Sequence, residues 1–248
     1  MSAQSIYRPA THPIAPRPVY AVARKLGVPL SEAKPYAAYW ADVPPLYVDS
    51  FYFQSSRHHP LTWAKVAHSN TAIHVLFHVA DRFIRCKYAE LHSPVYKDSC
   101  VEFFFRPRPE RAFDDGGGYF NFEINCAGTL FVSYIENPRK IRGKIQKFTL
   151  LRPAEAQQVS ITSSIRTHPP FQHAEPLDWS LQYTIPIKIF EPYVGRIGSL
   201  AGQRWGANFF KCADRSKYPH WGSWASIGRI ANFHQPDRFG RIYFKRTV

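Results

Sequence analysis

Along Ile73-His74-Val75-Leu76-Phe77-His78-Val79, apolar side chains recur at every second residue, the spacing of a half-buried strand. The same period runs through Val101, Phe103 and Phe105 against Glu102 and Arg106. It returns at Phe120, Phe122 and Ile124 against Tyr119, Asn121, Glu123 and Asn125, and at Trp179, Leu181, Tyr183 and Ile185 against Ser180, Gln182 and Thr184. Further strands are predicted over Thr62–Ala67, Thr129–Tyr134, Lys147–Arg152, Val159–Ile165, Ala207–Cys212 and Arg241–Phe244. Turn chemistry separates them: Asp114-Asp115-Gly116-Gly117-Gly118, a tight hairpin at Cys126-Ala127-Gly128-Thr129, and Asn137-Pro138. One short helix is predicted near Ile187–Tyr193, after Pro186. Many short strands with minimal helix define an all-β chain, an antiparallel β-sandwich of jelly-roll type. Residues 1–35 read differently. Pro9, Pro13, Pro16, Pro18, Pro29 and Pro35 fix the backbone and withhold donors, so this stretch is predicted as an extended arm ahead of one domain over 36–248.

Composition narrows the partners. Lys+Arg 32 against Asp+Glu 18 gives a formal net charge of +14, so a polyanion has to be weighed. The densest cluster, Arg139, Lys140, Arg142, Lys144 and Lys147, carries no aromatic ladder or nucleic-acid motif and reads as a solvated basic loop; the pattern argues against a nucleic-acid partner. Cys86, Cys100, Cys126 and Cys212 lack the close spacing of a zinc ribbon or a disulfide framework, and are expected as buried free thiols. No run reaches the ~18 apolar residues of a membrane-spanning helix. The start lacks the apolar core of an export signal, so the chain as written is expected in the cytoplasm, and outside the cell if a signal was removed.

Chemistry-bearing patterns are sparse. There is no Gly-x-Ser-x-Gly elbow, and the glycine run at Gly116 lacks the Lys-Ser/Thr of a phosphate loop. His74 and His78 share a strand face but stand about 13 Å apart at the usual rise, too far for one metal ion. Glu102 and Glu123 both alternate with core-directed Phe residues, which leaves three readings open: an acid–base pair for glycoside hydrolysis, acceptors for a ligand's hydroxyls, or structural partners of a cation. If their strands pair, Glu102, Asn121, Glu123 and Asn125 form one polar patch, about 5 Å apart directly across and 7–8 Å diagonally. Trp63, Trp179, Trp205 and Trp224 fall in strand runs and are expected in the core, whereas Trp221, before Gly222, is freer.

Three motifs carry a resemblance. Val95-Tyr96-Lys97-Asp98-Ser99-Cys100-Val101-Glu102-Phe103-Phe104-Phe105 resembles the central strand of the family 9 carbohydrate-binding modules. Tyr119-Phe120-Asn121-Phe122-Glu123-Ile124-Asn125 is similar to their next strand. Trp205-Gly206-Ala207-Asn208-Phe209-Phe210-Lys211-Cys212-Ala213-Asp214, with Asn232-Phe233-His234-Gln235-Pro236-Asp237-Arg238-Phe239-Gly240, resembles their closing pattern. The resemblance spans 36–244. It implies a β-sandwich, a non-catalytic role and a carbohydrate ligand stacked between aromatic rings. Glu102 falls on a carboxylate that contacts sugar in the family, and Asn208 on an asparagine of the late strand. Tyr96 and Phe233 stand where the family's two sugar-stacking tryptophans fall, and Glu123 where it has an arginine. The resemblance also admits structural calcium, for which Asp81, Asp98, Asp114 and Asp115 are available; no other cofactor is expected. The binding residues expected are therefore Tyr96, Glu102, Asn121, Glu123, Asn125, Asn208 and Phe233. Two other classes stay open: a carbohydrate-processing enzyme using Glu102 and Glu123, and a polyanion-binding module. A haem module of related architecture would need two histidine ligands, because Met1 is the sole methionine.

Overall fold

The structure is a computed structural model that describes residues 16–107 and 117–247, apart from 28, 30–32 and 36. The strands in chain order are β1 (Val19–Arg24), β2 (Leu46–Tyr47), β3 (Ser50–Phe51), β4 (Leu61–His68), β5 (Ala72–Asp81), β6 (Ile84–Cys86), β7 (Cys100–Arg106) and β8 (Tyr119–Asn125). They continue as β9 (Leu130–Ile141), β10 (Lys144–Leu150), β11 (Ser160–Ser163), β12 (Phe171–His173), β13 (Leu177–Pro186), β14 (Arg204–Cys212), β15 (Trp221–Ser223) and β16 (Gly240–Phe244). Among the described residues helix is confined to short turns, among them α1 (Pro153–Ala156) and α2 (Glu191–Val194). The last of these, with the 3-10 turn Ile187–Ile189, lies where the sequence predicts its one helix.

Two sheets face each other. One runs β10-β9-β8-β7-β14-β16-β1, the other β1-β4-β5-β13-β11. Strand β1 belongs to both: Val19–Val22 pair with β16, and Ala23 and Arg24 pair with β4. Both pairings are parallel, a departure from the purely antiparallel sandwich expected. The expected arm is also revised, because within it Val19–Arg24 form this integral strand. Pro18 sits just ahead of the strand, where its missing N–H costs no ladder bond. Residues 1–15, Asp114, Asp115 and Gly116 lie outside the described residues.

The period-2 alternation fixes which side chains face the partner sheet. From the first sheet Val101, Phe103, Phe105, Phe120, Phe122, Trp205 and Phe209 point inward; from the second come Val75, Phe77, Val79, Trp179, Leu181 and Tyr183. Phe103 stacks on Phe209 with centroids 4.6 Å apart, and Phe77 reaches Phe209 across the sandwich at 6.1 Å. Trp63, Trp179 and Trp205 are buried as expected, and Trp224 is partly buried against the core.

Each sheet also has a covered outer face. Behind the second sheet, Trp40 is fully buried and donates its indole N–H to Gln182 at 2.7 Å. Outside the first sheet a second apolar cluster forms from Tyr52, Phe104, Tyr119, Ile135, Phe210, Ile227 and Phe239. That second cover explains why β7 and β8 are buried on both faces, and why the polar residues alternating with their core positions are withdrawn from water.

Candidate functional site

Strands β7, β8 and β14 are consecutive neighbours. Their register places Glu102 directly opposite Glu123 on one side and Phe210 on the other, with Cys100 opposite Cys212. These side chains line the outer face of the first sheet, below a cavity of about 730 Å³. That is within the usual range for ligand pockets, about 300–1,000 Å³. Glu102, Glu123, Asn121 and Ser133 form its floor, and Tyr52, Tyr96, Phe131, Trp221 and Phe233 are its aromatic walls. Lys140, Gly143, Lys144, Ile145 and Phe148 reach it from the β9–β10 hairpin.

The walls are held by local bonds. Tyr96 lies on the 3-10 turn Val95–Lys97, which is stapled to the end of β14 by Asp214 N–H to Tyr96 O at 3.2 Å and Arg215 N–H to Lys97 O at 3.1 Å. Phe233 stacks on Phe210 at 4.1 Å, with rings 15° from parallel. Its loop is braced by Gln235, whose amide donates to Asn232 O at 2.6 Å and Ile227 O at 3.2 Å. Trp221 is held by β15 pairing to β14, and its indole N–H donates to Asp214 Oδ1 at 2.7 Å.

The floor is electrostatically unusual. Glu102 is 2% exposed and Glu123 is 6% exposed, and neither has a salt-bridge partner among the described residues. Burial pushes the Glu102 carboxyl well above the ordinary range, and the nearby Cys212, Glu123 and Asp214 raise it further. Burial lifts Glu123 to about 7, opposed by the Asn121 amide that donates to its Oε1 at 2.7 Å. Asn121 is itself aimed by Ser133, whose N–H and O–H both donate to its Oδ1. Cys212 Sγ–H donates to Glu102 Oε1 at 3.1 Å. Glu123 Oε2 is buried and has no partner. A buried carboxyl oxygen left unpaired is costly, so an acceptor site of this kind points to a missing donor.

Of the expected binding residues, the structure brings Tyr96, Glu102, Asn121, Glu123 and Phe233 together around this cavity. Asn125 and Asn208 are corrections. Asn125 Oδ1 accepts from Ala127 N–H and Thr129 N–H, closing the β8–β9 turn, while its amide donates to Tyr88 O and Asp98 Oδ2. Asn208 clamps the chain at Ala225 with two bonds of 2.8 Å. Asn125 is saturated by the protein, and the protein engages both ends of the Asn208 side chain. Sequence reasoning left out Asp214, Lys140, Cys212 and His234. Asp214 ended the late-strand motif, but only the sheet register shows that it faces Trp221. The basic cluster expected as a solvated loop is instead the β9–β10 hairpin.

The four cysteines are free and buried, as expected. Among the described residues one group could offer three metal ligands, Cys100, Glu102 and Cys212, with ligand atoms within 4.8 Å of one another. Two thiols suit a soft ion and do not fit calcium, which prefers oxygen donors. Burial holds both thiols protonated, pushing Cys100 up to about 12. Asp81 accepts from His58 Nε2 at 2.8 Å and faces Lys211 Nζ at 3.3 Å. Asp98 pairs with Arg85 and accepts from Lys87 N–H, Tyr88 N–H and Asn125.

Fold and site together define a β-sandwich module with an aromatic-walled polar cavity on the outside of one sheet. Residues 33–244 match carbohydrate-binding family 9, and the chain belongs to that family of non-catalytic carbohydrate-binding modules. A Bacteroides uniformis protein described as a candidate carbohydrate-binding protein is 26% identical, with a TM-score of 0.77 over 92% of this chain and 99% of that one. A family 9 module of Caldicellulosiruptor kristjanssonii solved with glucose is 14% identical, with a TM-score of 0.60 over 93% and 97% of the two chains. The same organism's family 9 module solved with cellotriose gives 15% identity and a TM-score of 0.59 over 93% and 95%. These two likenesses are of fold. No curated protein matches the chain. No helix among the described residues is long and apolar enough to cross a membrane.

Proposed function

We propose that the cavity over β7, β8 and β14 is where this chain holds its carbohydrate, and that it does so without chemistry. The observation that carries the reading is the pair Glu102 and Glu123: two buried carboxyls with no salt bridge among the described residues, one oxygen unpartnered, under aromatic walls. A sugar ring offers apolar C–H faces to Tyr96, Phe233 and Trp221, and edge hydroxyls to the carboxyls. A protonated carboxyl donates and an ionised one accepts, so a pair sharing a proton serves hydroxyls in both roles. The arrangement speaks against hydrolysis. The two acids stand side by side on adjacent strands, and both are held high, which leaves no steadily ionised nucleophile facing an acid across a scissile bond. Glucose and cellotriose, bound by the Caldicellulosiruptor kristjanssonii modules, are the first ligands to titrate calorimetrically. Glu102→Gln keeps the shape and is expected to weaken binding about tenfold, the scale of one charge-assisted bond, while the melting profile stays cooperative. Unchanged affinity in that variant for a glycan that binds the parent refutes this placement of the site.

A further inference from the structure

The β9–β10 hairpin is a strongly charged element beside the cavity. It carries Arg139, Lys140, Arg142, Lys144 and Lys147, and among the described residues only Lys147 of these has a salt bridge, to Glu136 at 2.8 Å. Lys140 and Lys144 come from the two strands of the hairpin on either side of its tip, and both line the cavity. Lys97 and Arg215 lie beside the wall residues Tyr96 and Asp214. Lys97 lies over the Tyr96 ring at 5.6 Å, and Lys97, Lys140 and Arg215 all act electrostatically on Asp214 in the cavity wall. Lys140, Lys144 and Arg215 are exposed, and none of the four cations has a salt-bridge partner among the described residues.

A chain of net charge +14 can carry solvated lysines anywhere. Here, however, two cations without salt bridges among the described residues line a cavity whose floor is built for hydroxyls, and two more stand beside its wall residues Tyr96 and Asp214. The floor does not cancel them. Burial raises the carboxyls of Glu102 and Glu123 and so favours their neutral forms, and Asp214 accepts the Trp221 indole N–H. The field at the mouth is therefore set by the ammonium and guanidinium groups, which attract anions within about a Debye length, ~8 Å at physiological salt.

We propose that the ligand is an acidic oligosaccharide, whose neutral sugar residue sits on the Glu102–Glu123 floor while an anionic group on the adjoining residue meets Lys140, Lys144, Lys97 and Arg215 at the mouth. The shared chemistry is a fixed negative charge one residue away from a neutral ring, carried by a uronate or by a sulfate ester. The inference rests on the floor reading of the preceding section and adds the polarity of the ligand to it.

The test titrates three trisaccharides of equal length into the protein: cellotriose, a trisaccharide with one glucuronate, and one with a single sulfate. At low salt at least one acidic ligand is expected to bind about three- to tenfold more tightly than cellotriose, the range of a few exposed ion pairs. Whichever acidic ligand is preferred names the source of the charge. The advantage is expected to shrink below about twofold at 0.5 M sodium chloride, as the Debye length shortens. The K140A/K144A double variant should erase the difference between the acidic and neutral ligands. Because its strands are exposed, K144E alone provides a second, charge-reversing check. Equal or weaker binding of both acidic ligands overturns the proposal, as does a preference that survives in K140A/K144A. Polyglutamate, which carries charge without sugar, controls for surface attraction; if it competes as well as the acidic trisaccharide does, the proposal falls. The two readings fail separately. Acidic binding unaffected by Glu102→Gln removes the floor, whereas cellotriose binding that depends on Glu102 without any acidic preference removes only the mouth.

Discussion

The buried acid pair should make the protein less stable as pH rises through neutrality, and the sign and size follow from Glu123. Its carboxyl titrates near 4.5 in an unfolded chain and at about 7 in the fold. A carboxyl whose folded pKa is raised binds its proton more tightly in the native state. Its contribution is fully present below about 4.5 and is lost as pH climbs through 7. At about 1.4 kcal/mol per pH unit the loss is about 3 kcal/mol. In a domain of this size that corresponds to about 6–12 °C in melting temperature. Other groups pull the opposite way at lower pH: burial depresses His74 to about 4 and His234 to about 3, so each costs stability as pH falls below 6.5. Asp42 and Glu155, lowered by Lys25 and by Arg152 and Tyr193, also favour higher pH. The assay must therefore be a difference. Denaturant unfolding of the parent and of Glu123→Gln at pH 5, 6, 7 and 8 isolates the carboxyl, because the remaining groups are common to both. The variant should be close to the parent at pH 5 and gain on it steadily up to pH 8. Glu102 remains in the variant and is relieved of one negative neighbour, so the Glu102→Gln/Glu123→Gln pair should flatten the profile further. A gap between parent and variant that stays constant from pH 5 to pH 8 would refute the reasoning.

Two further outcomes are expected. Asn208→Ala removes both 2.8 Å bonds to the Ala225 backbone and leaves a buried N–H and C=O without partners, so it should cost about 2–4 kcal/mol in denaturant unfolding; a loss under 1 kcal/mol contradicts the clamp assigned to it. EDTA should leave the melting temperature unchanged, since Asp81 and Asp98 are neutralised by Lys211 and Arg85; a fall of several degrees, restored by calcium, contradicts this.

Strand placement was legible because alternation is a local property. Phe103 and Phe105 against Glu102, or Phe120 and Phe122 against Glu123, reveal the inward face without any knowledge of neighbours. The fate of the other face was not legible. Glu102 and Glu123 read as one side of a half-exposed sheet, yet Tyr52, Ile227, Phe233 and Phe239, from distant loops, cover that side. Strand β1 was hidden for the opposite reason. Its prolines describe the approach to the strand, and the parallel partners that make Val19–Arg24 structural lie more than forty residues away or near the C-terminus.

Site residues divided along the same line. Glu102 and Glu123 could be placed on one face because they occupy ladder positions, and a shared face follows from pairing alone. Asn125 and Asn208 occupy equivalent positions and are engaged by the protein itself, because what an amide binds depends on which backbone arrives beside it. At Asn125 the β8–β9 turn folds back onto its oxygen; at Asn208 the chain at Ala225 takes both ends. The two glutamates differ in that none of the described residues forms a salt bridge with them, although Lys and Arg outnumber Asp and Glu by 32 to 18. With cations so abundant, a pair of buried acids left without a salt bridge is a costly arrangement that a purely structural role does not require. Lys140, which acts on both carboxyls, and Lys144 reach the cavity from the β9–β10 hairpin and not from the strands that carry the acids. That separation of charge is what a ligand with a neutral ring and an adjoining anion would use.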